Sequence, residues 1–105
     1  MNGFLRRKVV ITNPQGLHMR PITAFVEEAA KYQSDVLVGR EQQESFNGKS
    51  ALSLLGLAAE QGTELILEVS GPDADQAMEA LVMVLNRVFT EEASPEKKAG
   101  EPPER

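Results

Sequence analysis

A chain of 105 residues, 41% of them hydrophobic, is long enough for one core and too short for two. It has no cysteine, no tryptophan and a single histidine, which excludes disulfides and thiolate metal sites, argues against a zinc centre, and leaves a mostly aliphatic core. A net charge of −5 argues against a nucleic-acid partner, whose phosphates want a basic face.

Arg6 to Thr12 alternates as a strand, with Arg7, Val9 and Ile11 on one face. The basic run Arg6-Arg7-Lys8 fits a solvated strand edge. Asn13-Pro14-Gln15-Gly16 is turn chemistry. From Met19 the period changes: Ile22, Phe25, Val26, Ala29 and Ala30 form one stripe of a helix that ends near Tyr32, with Glu27 and Lys31 as an i,i+4 pair on the wet side. Asp35–Gly39 and Glu44–Phe46 read as short strands around the polar link Arg40–Gln43. Ser50 then reads as the N-cap of a leucine- and alanine-rich helix closed by Gly62.

Glu64 to Ser70 alternates again through Leu65, Leu67 and Val69. Gly71-Pro72 breaks the chain, and Asp73 with Gln76 fits a capping box. Met78, Leu81, Val82, Leu85, Val88 and Phe89 make the last apolar stripe. From Glu91 the composition turns polar and proline-rich, so residues 1–90 are expected to form the domain and 91–105 a disordered polar tail. The order βαββαβα predicts an α+β fold with helices covering one face of a mainly antiparallel sheet. Met1 to Lys8 lacks an apolar targeting core, and no apolar run approaches the roughly 20 residues that span a bilayer, so a cytoplasmic chain off the membrane is expected.

The one histidine lies in Gly16-Leu17-His18-Met19-Arg20-Pro21, immediately before the first helix. Imidazole can act as a nucleophile at neutral pH, a helix start offers backbone N–H groups and partial positive charge, and the arginine fork matches phosphate oxygens. The alternative is a histidine that merely ends a loop. Proline at a first helical turn lacks only an N–H that would have no intrahelical partner.

This segment resembles the active-site motif of HPr, the histidine phosphocarrier family of the bacterial phosphotransferase system. Asn47-Gly48-Lys49-Ser50, the helix through Ala59 and the turn Gln61-Gly62-Thr63-Glu64 resemble a second family element, and the likeness spans about residues 6 to 90. It implies the HPr-like open-faced sandwich of four strands and three helices. It also implies that His18 is phosphorylated on Nδ1 (pros-phosphohistidine) by phosphorylated enzyme I and that the group passes to A-domains of sugar-specific enzymes II. No bound cofactor or metal is required. Backbone N–H groups of Met19 and Arg20 and the Arg20 guanidinium are the expected phosphoryl ligands, and Met19, Leu52 and Leu55 the expected docking residues of a monomer.

Met19, Ile22 and Ala51 depart from the usual family residues, which leaves partner identity open. Ser50 matches the position that HPr kinase/phosphorylase modifies in many lineages; the plain alternative is a helix cap. Gly48-Lys49-Ser50 is not a P-loop, because Gln43 stands where that motif needs glycine. Two other functions are compatible with the same residues: a regulatory paralogue in a nitrogen-type phosphorelay, and a binding module that is never phosphorylated.

Overall fold

A computed structural model describes residues 3–93, and among these it contains four strands and three helices. The elements are β1 (Gly3–Val10), α1 (Met19–Ala29), β2 (Asp35–Gly39), β3 (Ser45–Asn47), α2 (Ala51–Leu57), β4 (Glu64–Gly71) and α3 (Ala74–Ala93). The strands form one antiparallel sheet in the order β1-β4-β2-β3. The helices cover one face of it, so the expected open-faced α+β sandwich is the fold.

Strand alternation explains which residues meet the helices. Leu5, Val69 and Val36 lie in one cross-strand row and Arg7, Leu67, Val38 and Phe46 in the next. Val36, Val38, Leu65, Leu67 and Val69 are buried against Ile22, Phe25, Leu54, Leu81 and Phe89 from the helices. Arg7 shares this face but sits on an edge strand and stays exposed. The other face carries ion pairs, Arg6 with Glu68 at 3.2 Å and with Glu41 at 3.3 Å, and Lys8 with Glu64 at 3.5 Å. Ile66, on that same face by alternation, is nevertheless buried; its cross-strand neighbours are Lys8 and Gly39, and a lysine stem can cover apolar surface.

The element ends differ from expectation for identifiable reasons. α1 stops at Ala29 because Lys31 and Tyr32 donate to Glu28 and Ala29 in a tightened final turn. Ala30 therefore leaves the stripe and is exposed, and Lys31 pairs with Glu28 at 3.1 Å instead of with Glu27. α2 is closed by Ala58 in the left-handed region (φ 50°), not by Gly62, whose own positive φ serves the turn into β4. Asp73 does begin the α3 ladder through its carbonyl, which accepts from Ala77 N–H. Its carboxylate, however, does not make the expected capping box. It accepts from Gln33 N–H and Ser34 N–H, both at 2.9 Å, and from Ser34 Oγ at 2.6 Å, tying the α1–β2 link to the start of α3.

The last helix runs to Ala93, past the boundary expected at Glu91, because polarity does not stop a helix and the next proline is Pro95. The rest of the expected tail, residues 94–105, lies outside the described residues. Among the described residues no helix is long and apolar enough to cross a membrane.

Candidate functional site

The site is built on the loop between β1 and α1. Gly16 N–H donates to Asn13 O at 3.1 Å and Asn13 Nδ2 donates to Gly16 O at 2.8 Å, closing the expected turn. Gly16 needs to be glycine for two reasons: its φ is +74°, and a Cβ there would come within 2.7 Å of Ala59 O. That same carbonyl accepts from Leu17 N–H at 2.9 Å. The residue before His18 is thereby fastened to the end of α2, while Ile11 pairs with the turn before β4 through Thr63 O and Gly62 N–H.

His18 is the N-cap of α1, half-buried and extended (φ −122°, ψ −167°), and its side chain does not cap the helix. The helical ladder begins with Ile22 N–H donating to His18 O at 3.0 Å, so the N–H groups of Met19 and Arg20 precede it and Pro21 contributes none. No acidic residue stands in this first turn to satisfy the helix dipole. Met19, the residue after His18, is 51% exposed. Arg20 is exposed too, and its Nη2 donates to Glu91 Oε1 at 3.2 Å.

Composition alone places Glu91 in the tail. Nothing local could have marked it as part of the site, since it lies 71 residues from Arg20 and meets it only through the packing of α3 on α1.

Ser50 is placed as the N-cap of α2: its Oγ accepts from Ser53 N–H at 3.2 Å. Lys49, its neighbour, reaches the carbonyl of Tyr32 just beyond α1 at 2.7 Å, whereas the other end of α2 holds Leu17. The two helices thus run in opposite senses, and Ser50 stands at the far end of α2 from His18, about 10 Å along a seven-residue helix. The leucines of α2 divide sharply. Leu54 and Leu57 are core, while Leu52 (80% exposed) and Leu55 (43% exposed) share the outer face. Among the described residues no group of acidic, histidine or cysteine side chains could hold a metal ion.

The chain is similar to known proteins. A family model described as the PTS HPr component phosphorylation site matches residues 5–87. The chain is 39% identical over 84 residues to the phosphocarrier protein HPr of Pseudomonas aeruginosa, covering 80% of this chain and 93% of that one. It is similar to the crystal structure of HPr-C-His from Thermoanaerobacter tengcongensis, with a TM-score of 0.76, 33% identity, and coverage of 84% and 98% of the two chains. A crystal structure of an HPr dimer from the same organism matches with a TM-score of 0.63 at 33% identity, over 77% and 92%. That relative is a dimer, so likeness alone does not carry the expected monomer. The loop-to-helix histidine, the sheet order and these matches agree, and the chain belongs to the HPr family, the phosphocarriers of the phosphotransferase system.

Proposed function

We propose that His18 accepts one phosphoryl group from phosphorylated enzyme I and passes it to A-domains of enzymes II. The observation that carries this reading is the half-buried histidine at the start of α1, its side chain not used as a cap, with Arg20 two residues on. The lone pair of a ring nitrogen, Nδ1 by family resemblance, forms the new N–P bond. The donor's bond to phosphorus breaks, and its electron pair returns to the donor.

Phosphoryl transfer of this kind depends on alignment and on positive groups around the spread negative charge. The start of α1 supplies both the dipole and the N–H groups of Met19 and Arg20 for the anion that forms. Arg20 meets the moving oxygens with its fork, and an exposed guanidinium can let go again. The chain is a carrier, not a catalyst with turnover of its own.

Met19, Leu52 and Leu55 form the apolar docking surface for both partners, since three large exposed apolar side chains on α1 and α2 are otherwise left to water. Ser50 is a phosphorylation site for HPr kinase/phosphorylase that acts on docking, since it caps the helix that carries exposed Leu52 and Leu55. In this reading one copy carries one phosphoryl group in the cytoplasm and draws no residue from a second copy. An obligate dimer in sedimentation experiments would overturn that part.

Incubation with enzyme I and labelled phosphoenolpyruvate is the deciding experiment. Acid-labile label is expected in the parent chain and none in His18→Ala, with the fold of both intact. Equal labelling of the two would remove His18 from the role.

A further inference from the structure

We propose that the Met19 thioether is an oxidation site that switches partner docking: a hydroperoxide converts it to the sulfoxide, which weakens docking, and a thiol-dependent reductase converts it back. The inference rests on the reading of His18 as the phosphoacceptor and of Met19 as part of its docking surface.

Methionine is the only source of sulfur in the chain, which has no cysteine. Oxidation of a thioether follows its exposure. Among the described residues Met78 is 3% exposed and lies in the core, whereas Met19 and Met83 are 51% and 65% exposed. The two exposed methionines differ in their surroundings. Met83 lies on the outer face of α3, where the residues one turn away, Glu79, Asn86 and Arg87, are exposed and polar. Met19 is the first residue of α1 and adjoins His18 in the chain. With Leu52 and Leu55 it supplies the large exposed apolar side chains of α1 and α2. A sulfoxide is therefore silent at Met83 and felt at Met19.

The forward step is a two-electron oxygen transfer. A sulfur lone pair attacks one oxygen of the hydroperoxide, the S–O bond forms and the O–O bond breaks. The leaving oxygen takes the bonding pair and the proton of the transferred oxygen, and departs as water when the oxidant is hydrogen peroxide. Sulfur is oxidised and the peroxide reduced. On return, two thiols supply two electrons and two protons, become a disulfide, and the oxygen leaves as water. Between the two steps a flexible apolar side chain is polar. A partner that buries Met19 in an apolar contact then buries an S–O dipole without a donor to meet it, and docking weakens.

The test compares each chain with its own unoxidised form. Full-length parent, Met19→Leu and Met83→Leu are treated with hydrogen peroxide, the peroxide is removed, and peptide masses show which methionines carry oxygen. Each sample is then titrated against enzyme I and labelled from phosphoenolpyruvate. Oxidation is expected to weaken binding about fivefold or more in the parent and in Met83→Leu, the cost of one polar group buried without a partner. The KM for transfer should rise with it, while kcat changes little. Met19→Leu should bind equally well before and after treatment, and methionine sulfoxide reductase with a dithiol should restore the oxidised parent. Parent affinity in a chain that carries the Met19 sulfoxide overturns the proposal, as does an equal loss in Met19→Leu, or a Met19 that stays reduced while Met83 is oxidised. Each of these leaves His18 as phosphoacceptor. An unoxidised parent that takes up no phosphoryl group overturns both.

Discussion

At residue scale the site trades stability for chemistry. Serine, threonine, aspartate and asparagine are the preferred N-caps, yet α1 begins with a histidine whose side chain caps nothing and has no acidic residue in its first turn. His18→Asp is expected to stabilise the protein by about 0.5–1 kcal/mol, since it adds both a cap and a charge that suits the dipole. The same change should abolish phosphoryl uptake. Thermal unfolding and labelling of one sample test both halves; a variant less stable than the parent would show that the ring contributes packing that outweighs the cap. Gly16→Ala is expected to act in the opposite direction, lowering stability by about 1–3 kcal/mol, because a side chain is strained at φ +74° and collides with the Ala59 carbonyl that fastens Leu17. The placement of His18 and Arg20 at the start of α1 was legible in the sequence, because the proposed chemistry lies within three consecutive residues. The Arg20–Glu91 ion pair was not: it comes from the tertiary packing of α3 on α1, and composition places Glu91 in the solvent.

At the scale of elements, period and turn chemistry located every strand and helix, whereas their ends were decided by contacts between elements. The clearest case is Asp73. Its spacing to Gln76 suggested a local capping box, but the carboxylate is taken by two N–H groups and a hydroxyl from the α1–β2 link. The Ser34 hydroxyl first, and the backbone bonds with it, hold the Asp73 carboxyl below its ordinary range. A folded-state pKa lowered in this way contributes stability that is present above the unfolded value of about 3.9 and is lost as pH falls through the lower folded one. Unfolding midpoints of the parent should therefore fall more steeply below pH 4 than those of Asp73→Asn, and parallel curves would mean that the tie does not depend on charge. α2 provides the second case. Ser50→Ala should lower stability by about 1 kcal/mol through the lost cap to Ser53 N–H. Ser50→Asp retains an N-cap acceptor and should remain stable while binding enzyme I more weakly, since the charge arrives at the start of the helix that carries exposed Leu52.

Across the whole molecule, the proposed site lies on the helical side, while the opposite sheet face carries ion pairs. Arg6 and Lys8, which the sequence places on a solvated strand edge, pair there with Glu41, Glu64 and Glu68. The layout leaves Met19, Leu52 and Leu55 exposed on α1 and α2 and brings the end of α3 to Arg20. The boundary between domain and tail therefore has functional weight, and two truncations separate the alternatives. Residues 94–105 contain no large apolar side chain and three prolines, so their removal has little surface to withdraw from a core. A chain ending at Ala93 is expected to match the parent in unfolding midpoint and in phosphoryl balance. A chain ending at Thr90 should also stay folded, because Val88 and Phe89 remain to fill the core, but it loses the carboxylate that meets Arg20, so its phosphoryl balance tests whether that ion pair matters to transfer. If the shorter chain behaves as the longer one in that balance, the end of α3 is a structural terminus and the site stops at Arg20.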